Sequence, residues 1–191
     1  VSIVKTVPEE EATGLVAELY AEDIEDLGYV PSHSRVMALN PEAVRGFEQL
    51  MRAIAIPLGK RRYELVTLAA AEAIGSQACL LAHSRKTLSI LDAEQIARIL
   101  RDYRDAGLTD AEVAMMDYAA RLSTDSASMT DADSRQLRDA GFTDREIVDI
   151  TLAAAARNFY SRSLHALAVE VDVPPGLDDA IVSAITRQPE A

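Results

Sequence analysis

Glu64, Ser76, Cys79 and His83 are the residues whose types and spacing could do chemistry in this chain of 191 residues. Cys79 is its only cysteine, and a cysteine is a nucleophile in its thiolate form. Ser76, Cys79 and His83 fall at i, i+3 and i+7, so on a regular helix they share a face, with the imidazole one turn beyond the sulfur. Gly75 interrupts an Ala-rich stretch and Ser76 can cap the next helix, which predicts Cys79 in that helix's first turn. Unpaired backbone donors and the helix dipole favour an anionic sulfur there. Glu64 belongs to the preceding helix and reaches the same place only if the chain reverses near Gly75. Read singly, each residue has a plainer role: a lone cysteine in an Ala- and Leu-rich helix is commonly an inert hydrophobe. Glu64, after Arg61 and Arg62, is then a solvated or paired first-turn acid. His33, in a loop between Pro31 and Pro41, and His165, near Arg162, read as structural.

The elements that must position these residues are helices. Asn40 before Pro41, Asp92 with Gln95, Thr109 with Glu112, and Thr143 with Glu146 are N-cap patterns, three of them with capping-box spacing. They predict helices starting near 41, 93, 110 and 144. Gly28, Gly59, Gly107 and Gly141 follow periodic stretches as stops, and Pro31, Pro57, Pro174 and Pro175 are expected outside helix interiors. Ile96, Ile99, Leu100 and Tyr103 recur at helical spacing, as do Val113, Met116, Ala120 and Leu122 with a slip of register. The segment from Asp144 to about Val169 is Ala-rich and apolar around much of its circumference, which predicts a central helix or one serving a subunit interface. Residues 1 to 30 read as an amphipathic helix after Pro8, and residues 176 to 187 as a short terminal helix, with both ends free to pack on a neighbouring subunit. The repeats DAGLTDAEV and DAGFTDREI are two helical-hairpin connections, and no period-two strand or internal domain boundary stands out. The reading is a single all-α domain over 1–191 with its core at about 40–170.

Composition narrows the partners. Thirty-one Asp and Glu against nineteen Lys and Arg give a net charge of -12, which repels phosphate backbones and anionic lipid headgroups. Nucleic acid and membrane are not expected partners. No apolar run approaches the roughly 20 residues that cross a bilayer, and no basic and apolar leader opens the chain, so a cytoplasmic protein is expected. One cysteine cannot close a disulfide within the chain, so any redox partner lies outside it. No Gly-rich phosphate loop or dinucleotide fingerprint appears, and neither nucleotide nor flavin is expected. A metal held by Glu64, Cys79 and His83 is conceivable, but a Cys and His at i, i+4 is a weak signal and no metal is expected.

The stretch YELVTLAAAEAIGSQACLLAHSRKTL, residues 63–88, resembles the active-site segment of the alkylhydroperoxidase D and carboxymuconolactone decarboxylase family, its peroxidase-related branch above all. The family pattern is a Glu, a Cys-x-x-Cys pair beginning twelve residues later, and a His four residues after the second Cys. Glu64, Ser76, Cys79 and His83 stand at those positions, with serine in place of the first cysteine. GYVPSHSRVMALNP and LRDAGFTDREIVDITLAAAARNFYSRSLHAL are similar to the flanking segments, so the likeness covers most of the chain.

The resemblance implies a bundle of eight to ten helices of the alkylhydroperoxidase D-like type, assembled as a homo-oligomer such as a dimer, trimer or hexamer. It implies Cys79 as the thiol that meets hydroperoxide, with His83 and Glu64 as proton-transfer and polarising groups. Ser76 stands at the place of the resolving thiol, where it could hydrogen-bond the sulfur but cannot form a disulfide. The reaction implied is peroxidase-like: Cys79 attacks the O–O bond, becomes a sulfenic acid and is reduced by an external thiol. The competing readings are an acid–base enzyme of the decarboxylase branch, acting on a small lactone or carboxylated substrate, and a binding scaffold that has lost catalysis. Leu68, Leu80 and Leu81 could line an alkyl pocket or form core.

Overall fold

Between Tyr63 and Ala71 every side chain is buried, and three of the nine are alanines that let neighbouring backbones approach closely. This run is the middle of a helix, Lys60–Ala73, at the centre of the protein. The structure, a computed structural model, describes residues 4–186. Among them are ten α-helices: α1 Gly14–Leu27, α2 Ser32–Met37, α3 Pro41–Leu58, α4 Lys60–Ala73, α5 Gln77–Thr87, α6 Ala93–Asp102, α7 Asp110–Asp125, α8 Asp131–Asp139, α9 Asp144–Ala166 and α10 Asp179–Thr186. Short 3-10 turns complete the described secondary structure, so the fold is an all-helical single domain.

Helix α9 is the second central element, packed against α3, α4, α7 and α8 as its circumferential hydrophobicity predicts. The four helix starts at 41, 93, 110 and 144 are where the caps put them. Thr109 and Thr143 form reciprocal capping boxes with Glu112 and Glu146, and Asp92 accepts from the backbone N–H of Gln95. Those two glutamates have a second duty. Arg61 bonds Glu112 at 2.6 Å and Arg62 pairs with Glu146, so the first turn of α4 is tied to the starts of α7 and α9. Thr130 with Asp133 forms a third capping box, with Asp in the place usually held by Glu or Gln.

Three expectations need correction. Pro57 lies inside α3, in its last turn: it gives up one backbone bond to the preceding turn, and the helix stops one residue later at Leu58, with Gly59 as C-cap. The helix expected after Pro8 is present but starts later, as α1 at Gly14, after a 3-10 turn at Glu9–Glu11; residues 1–3 lie outside the described residues. The C-terminal helix does not offer its apolar face to another subunit, since Ile181, Ala184 and Ile185 are buried against α5 and α6 of the same chain. Residue 187 lies outside the described residues. The main core joins α3 to α10, while Leu19, Tyr20, Val30 and Ala38 make a small separate cluster under α1. Among the described residues no helix is long and apolar enough to cross a membrane.

Packing and capping should separate in magnitude. Leu68→Ala, at a fully buried position of α4, is expected to cost about 2–5 kcal/mol, and Thr143→Ala about 1 kcal/mol. Urea unfolding checks both, and equal costs at the two positions would contradict this account of the core.

Candidate active site

Gly75 adopts a left-handed backbone, φ 65°, which an L side chain resists, and it turns the chain from α4 into α5. This reversal is the one Glu64 needs. Glu64 from α4 and His83 from α5 meet at 2.7 Å, Oε2 to Nδ1, with both side chains almost wholly buried. Burial drives His83 down to about 4, and the nearby positive charge of Arg157 adds to that against the pull of Glu64. Burial alone would raise the Glu64 carboxyl, but the bond from His83 and the charges of Lys86 and Arg157 outweigh it and hold it below its ordinary range. A carboxylate only accepts, so His83 carries its proton on Nδ1 and leaves Nε2 free to act as a base.

Cys79 is the third residue of α5, in the first turn as predicted, and is 3% exposed. Its partners come from α9. Ser161 Oγ donates to the sulfur at 3.0 Å and Arg157 Nη1 lies 3.5 Å away. Arg157 takes part in no ion pair among the described residues; burial would lower its guanidinium, but its interactions with Cys79 and Tyr63 outweigh that and raise it above its usual range. Tyr63 of α4 completes the cluster, close enough to Arg157 to act on its guanidinium and standing edge-on to His83 with ring centroids 6.3 Å apart.

These groups open into a cavity of about 310 Å³. Cys79, His83, Arg157 and Tyr63 form its buried end, while Leu19, Val44, Phe47 and Met51 supply apolar wall from α1 and α3. Exposed Glu22, Asp26, Arg52 and Lys86 stand at the rim. Half-buried Asp23 is raised above its ordinary range by burial, which the Ser34 hydroxyl partly offsets. The interior thus carries positive charge at the sulfur and a mixed, acid-rich mouth.

The structure brings Glu64, Cys79 and His83 into one region, as the helical spacing suggests. Ser76 is different. It is the buried N-cap of α5, its side chain makes no cap bond and its hydroxyl has no hydrogen-bond partner. The hydroxyl expected of Ser76 at the sulfur is supplied instead by Ser161 of α9. His33 is on α2, not in a loop; it lines the cavity and meets Tyr160 edge-on at 6.0 Å. His165 is exposed beside another hollow. Leu68, Leu80 and Leu81 are core.

Arg157, Ser161 and Tyr63 are not picked out by motif spacing. A signal for Arg157 exists nonetheless: it follows four alanines, and its helical neighbours at i±3 and i±4 are Ala153, Ala154, Tyr160 and Ser161. A charge in an apolar helix with no helical counter-charge needs a partner elsewhere in the fold.

The chain matches no protein-family model and no curated protein. It is similar to a solved peroxidase-related protein of Silicibacter sp. TM1040, with 25% identity and a TM-score of 0.75 over 88% of each chain. It is also similar to the alkylhydroperoxidase AhpD core of a peroxidase-related protein from Ralstonia eutropha JMP134, with 22% identity and a TM-score of 0.75 over 96% of each chain. The debrominase Bmp8, solved with 2,3,4-tribromopyrrole, shares the fold at 16% identity and a TM-score of 0.74, covering 97% of this chain and 98% of its own. The chain therefore has the AhpD-like fold.

Burial of His33 drives it to about 4 from an ordinary 6.5, with Lys86 and Arg157 adding to the drop and Asp172 opposing it. Between those values the unfolded chain binds a proton that the folded chain refuses. The His33 contribution to stability is greatest above 6.5 and is lost as pH falls toward 4. Glu72, raised by burial to about 7, acts in the opposite sense over an overlapping range, so the clean readout is a difference. At roughly pH 5.5, His33→Gln should take up about one proton fewer on unfolding than the native chain. The slope of urea-melt free energy against pH measures it, and identical slopes would contradict the burial of a neutral His33.

Proposed function

We propose that this protein is a peroxidase-like oxidoreductase that reduces a hydroperoxide through the single thiol of Cys79. The observation carrying the reading is a sulfur at a cavity end, held by Ser161 Oγ and the buried guanidinium of Arg157. A positive charge favours the anionic, nucleophilic form of a thiol. The structural likeness to peroxidase-related proteins supports the same chemistry.

In the proposed reaction the Cys79 thiolate attacks the terminal oxygen of the hydroperoxide. The S–O bond forms, the O–O bond breaks, and the leaving alkoxide takes a proton to become an alcohol. Cys79 is left as a sulfenic acid. The thiol proton is lost to solvent beforehand, and neutral His83, oriented by Glu64, holds at Nε2 a water that gives the leaving oxygen its proton. Ser76 stands where the resembling family places its resolving thiol, so no disulfide forms within the chain. One external thiol condenses with the sulfenic acid and releases water, and a second cleaves the mixed disulfide to restore Cys79.

The Glu64–His83 pair supports a second reading, acid–base chemistry on a small lactone or carboxylated substrate that does not use the sulfur. For assembly we propose a homo-oligomer, consistent with exposed Leu50, Val148, Leu152 and Phe159 on neighbouring α3 and α9. Light scattering should then give a multiple of the chain mass that falls in a Leu152→Glu, Phe159→Glu variant, and a monomer would refute this assembly.

Intact-mass measurement tests the thiol chemistry. Stoichiometric alkyl hydroperoxide should add one oxygen to the reduced protein, trappable by dimedone, and none to Cys79→Ser. An unreactive Cys79 would overturn the peroxidase reading, and lactone turnover surviving thiol alkylation would replace it with the acid–base one.

A further inference from the structure

Two buried donors stand beside the sulfur without an acceptor to match them. Arg157, 5% exposed, spends Nη1 on Cys79, yet its Nε–H has no partner. The Tyr63 O–H meets only the Met51 thioether, at 3.4 Å, and a thioether is a weak acceptor. Both side chains line the cavity with Cys79. A buried donor left short calls for a group that completes it, an ordered water at rest or a reacting atom, and a group that gathers negative charge during a reaction would complete both.

Building on the peroxidase-like reading, we infer that Arg157 and Tyr63 form an oxyanion subsite that receives the oxygen leaving an uncharged organic hydroperoxide. As the sulfur bonds to the terminal oxygen and the O–O electron pair moves onto the other oxygen, negative charge passes from Cys79 to an atom within the same cluster. Arg157 is then the countercharge at both ends of the step: it faces the thiolate before and the alkoxide after. Tyr63 turns its O–H from Met51 to the new anion, which leaves as the alcohol once protonated. The organic substituent lies against Leu19, Val44, Phe47 and Met51, apolar wall that hydrogen peroxide would leave unfilled. Both residues touch the reacting atoms in this arrangement, so both are catalytic.

The subsite makes a prediction about leaving groups. An alkoxide leaves poorly and needs the stabilisation, whereas the carboxylate expelled from a peracid leaves readily and needs little of it. Tyr63→Phe keeps the ring and its packing while removing the donor. Rapid-quench mass spectrometry of Cys79 should show sulfenic acid formation with cumene hydroperoxide slowed about tenfold or more in Tyr63→Phe, and far less slowing with perbenzoic acid. Arg157→Met should lose more with both, since it also removes the thiolate countercharge; Tyr63→Phe remains decisive if that variant does not fold. Equal slowing of the two oxidants in Tyr63→Phe, or none, overturns the subsite while leaving thiol peroxidase chemistry intact. A native protein that forms no sulfenic acid with either oxidant overturns both.

Discussion

A guanidinium carried into a helical core has given up its hydration, and it has to recover that loss from whatever groups the fold can bring to it. Arg157 sits in this position on α9, 5% exposed and outside every ion pair among the described residues. What surrounds it is the thiol of Cys79 from α5 and the hydroxyl of Tyr63 from α4. The three helices that build the centre of the protein therefore converge on one charge. Its influence extends to the next layer, where it helps keep His83 neutral and Glu64 anionic. Remove the positive charge and the Cys79 sulfur loses its contact with a cation, while burial, the main cause, still holds His83 low.

The same convergence explains why the Gly75 turn matters. A left-handed residue there lets α5 run back along α4, which puts Glu64 opposite His83 and Cys79 opposite α9. Arg61 and Arg62 then tie the start of α4 to the capping boxes of α7 and α9. The caps thus do more than begin helices: their glutamates also hold the first turn of α4. Solved proteins that share this fold include peroxidase-related members and a debrominase, so the scaffold alone does not name a reaction, and the site has to carry that argument.

Much of the scaffold is legible in the sequence because caps and stops are local. Asn40, Asp92, Thr109 and Thr143 mark helix starts through bonds made within three residues of themselves. The Glu64, Cys79 and His83 cluster is legible for a similar reason, since two members share a helix and the third needs only a turn. Ser161 and Tyr63 are different, as their contacts with Cys79 and Arg157 span 82 and 94 positions and depend on how α4, α5 and α9 pack. No local pattern contains that information, and this is why Ser76, adjacent in sequence, is the natural choice for the sulfur's hydroxyl partner and Ser161 is the actual one. Pro57 shows the opposite limit: a local rule that keeps proline out of helix interiors misses a proline placed one residue before the helix ends.

The proposal that Cys79 reacts as a thiolate facing Arg157 is tested most directly by the ultraviolet absorbance of that thiolate at a fixed neutral pH. The native chain, corrected with Cys79→Ser, should show that absorbance, and Arg157→Met with preserved helical circular dichroism should lose most of it. Equal absorbance in the native chain and a folded Arg157→Met, or none in either, would contradict the account.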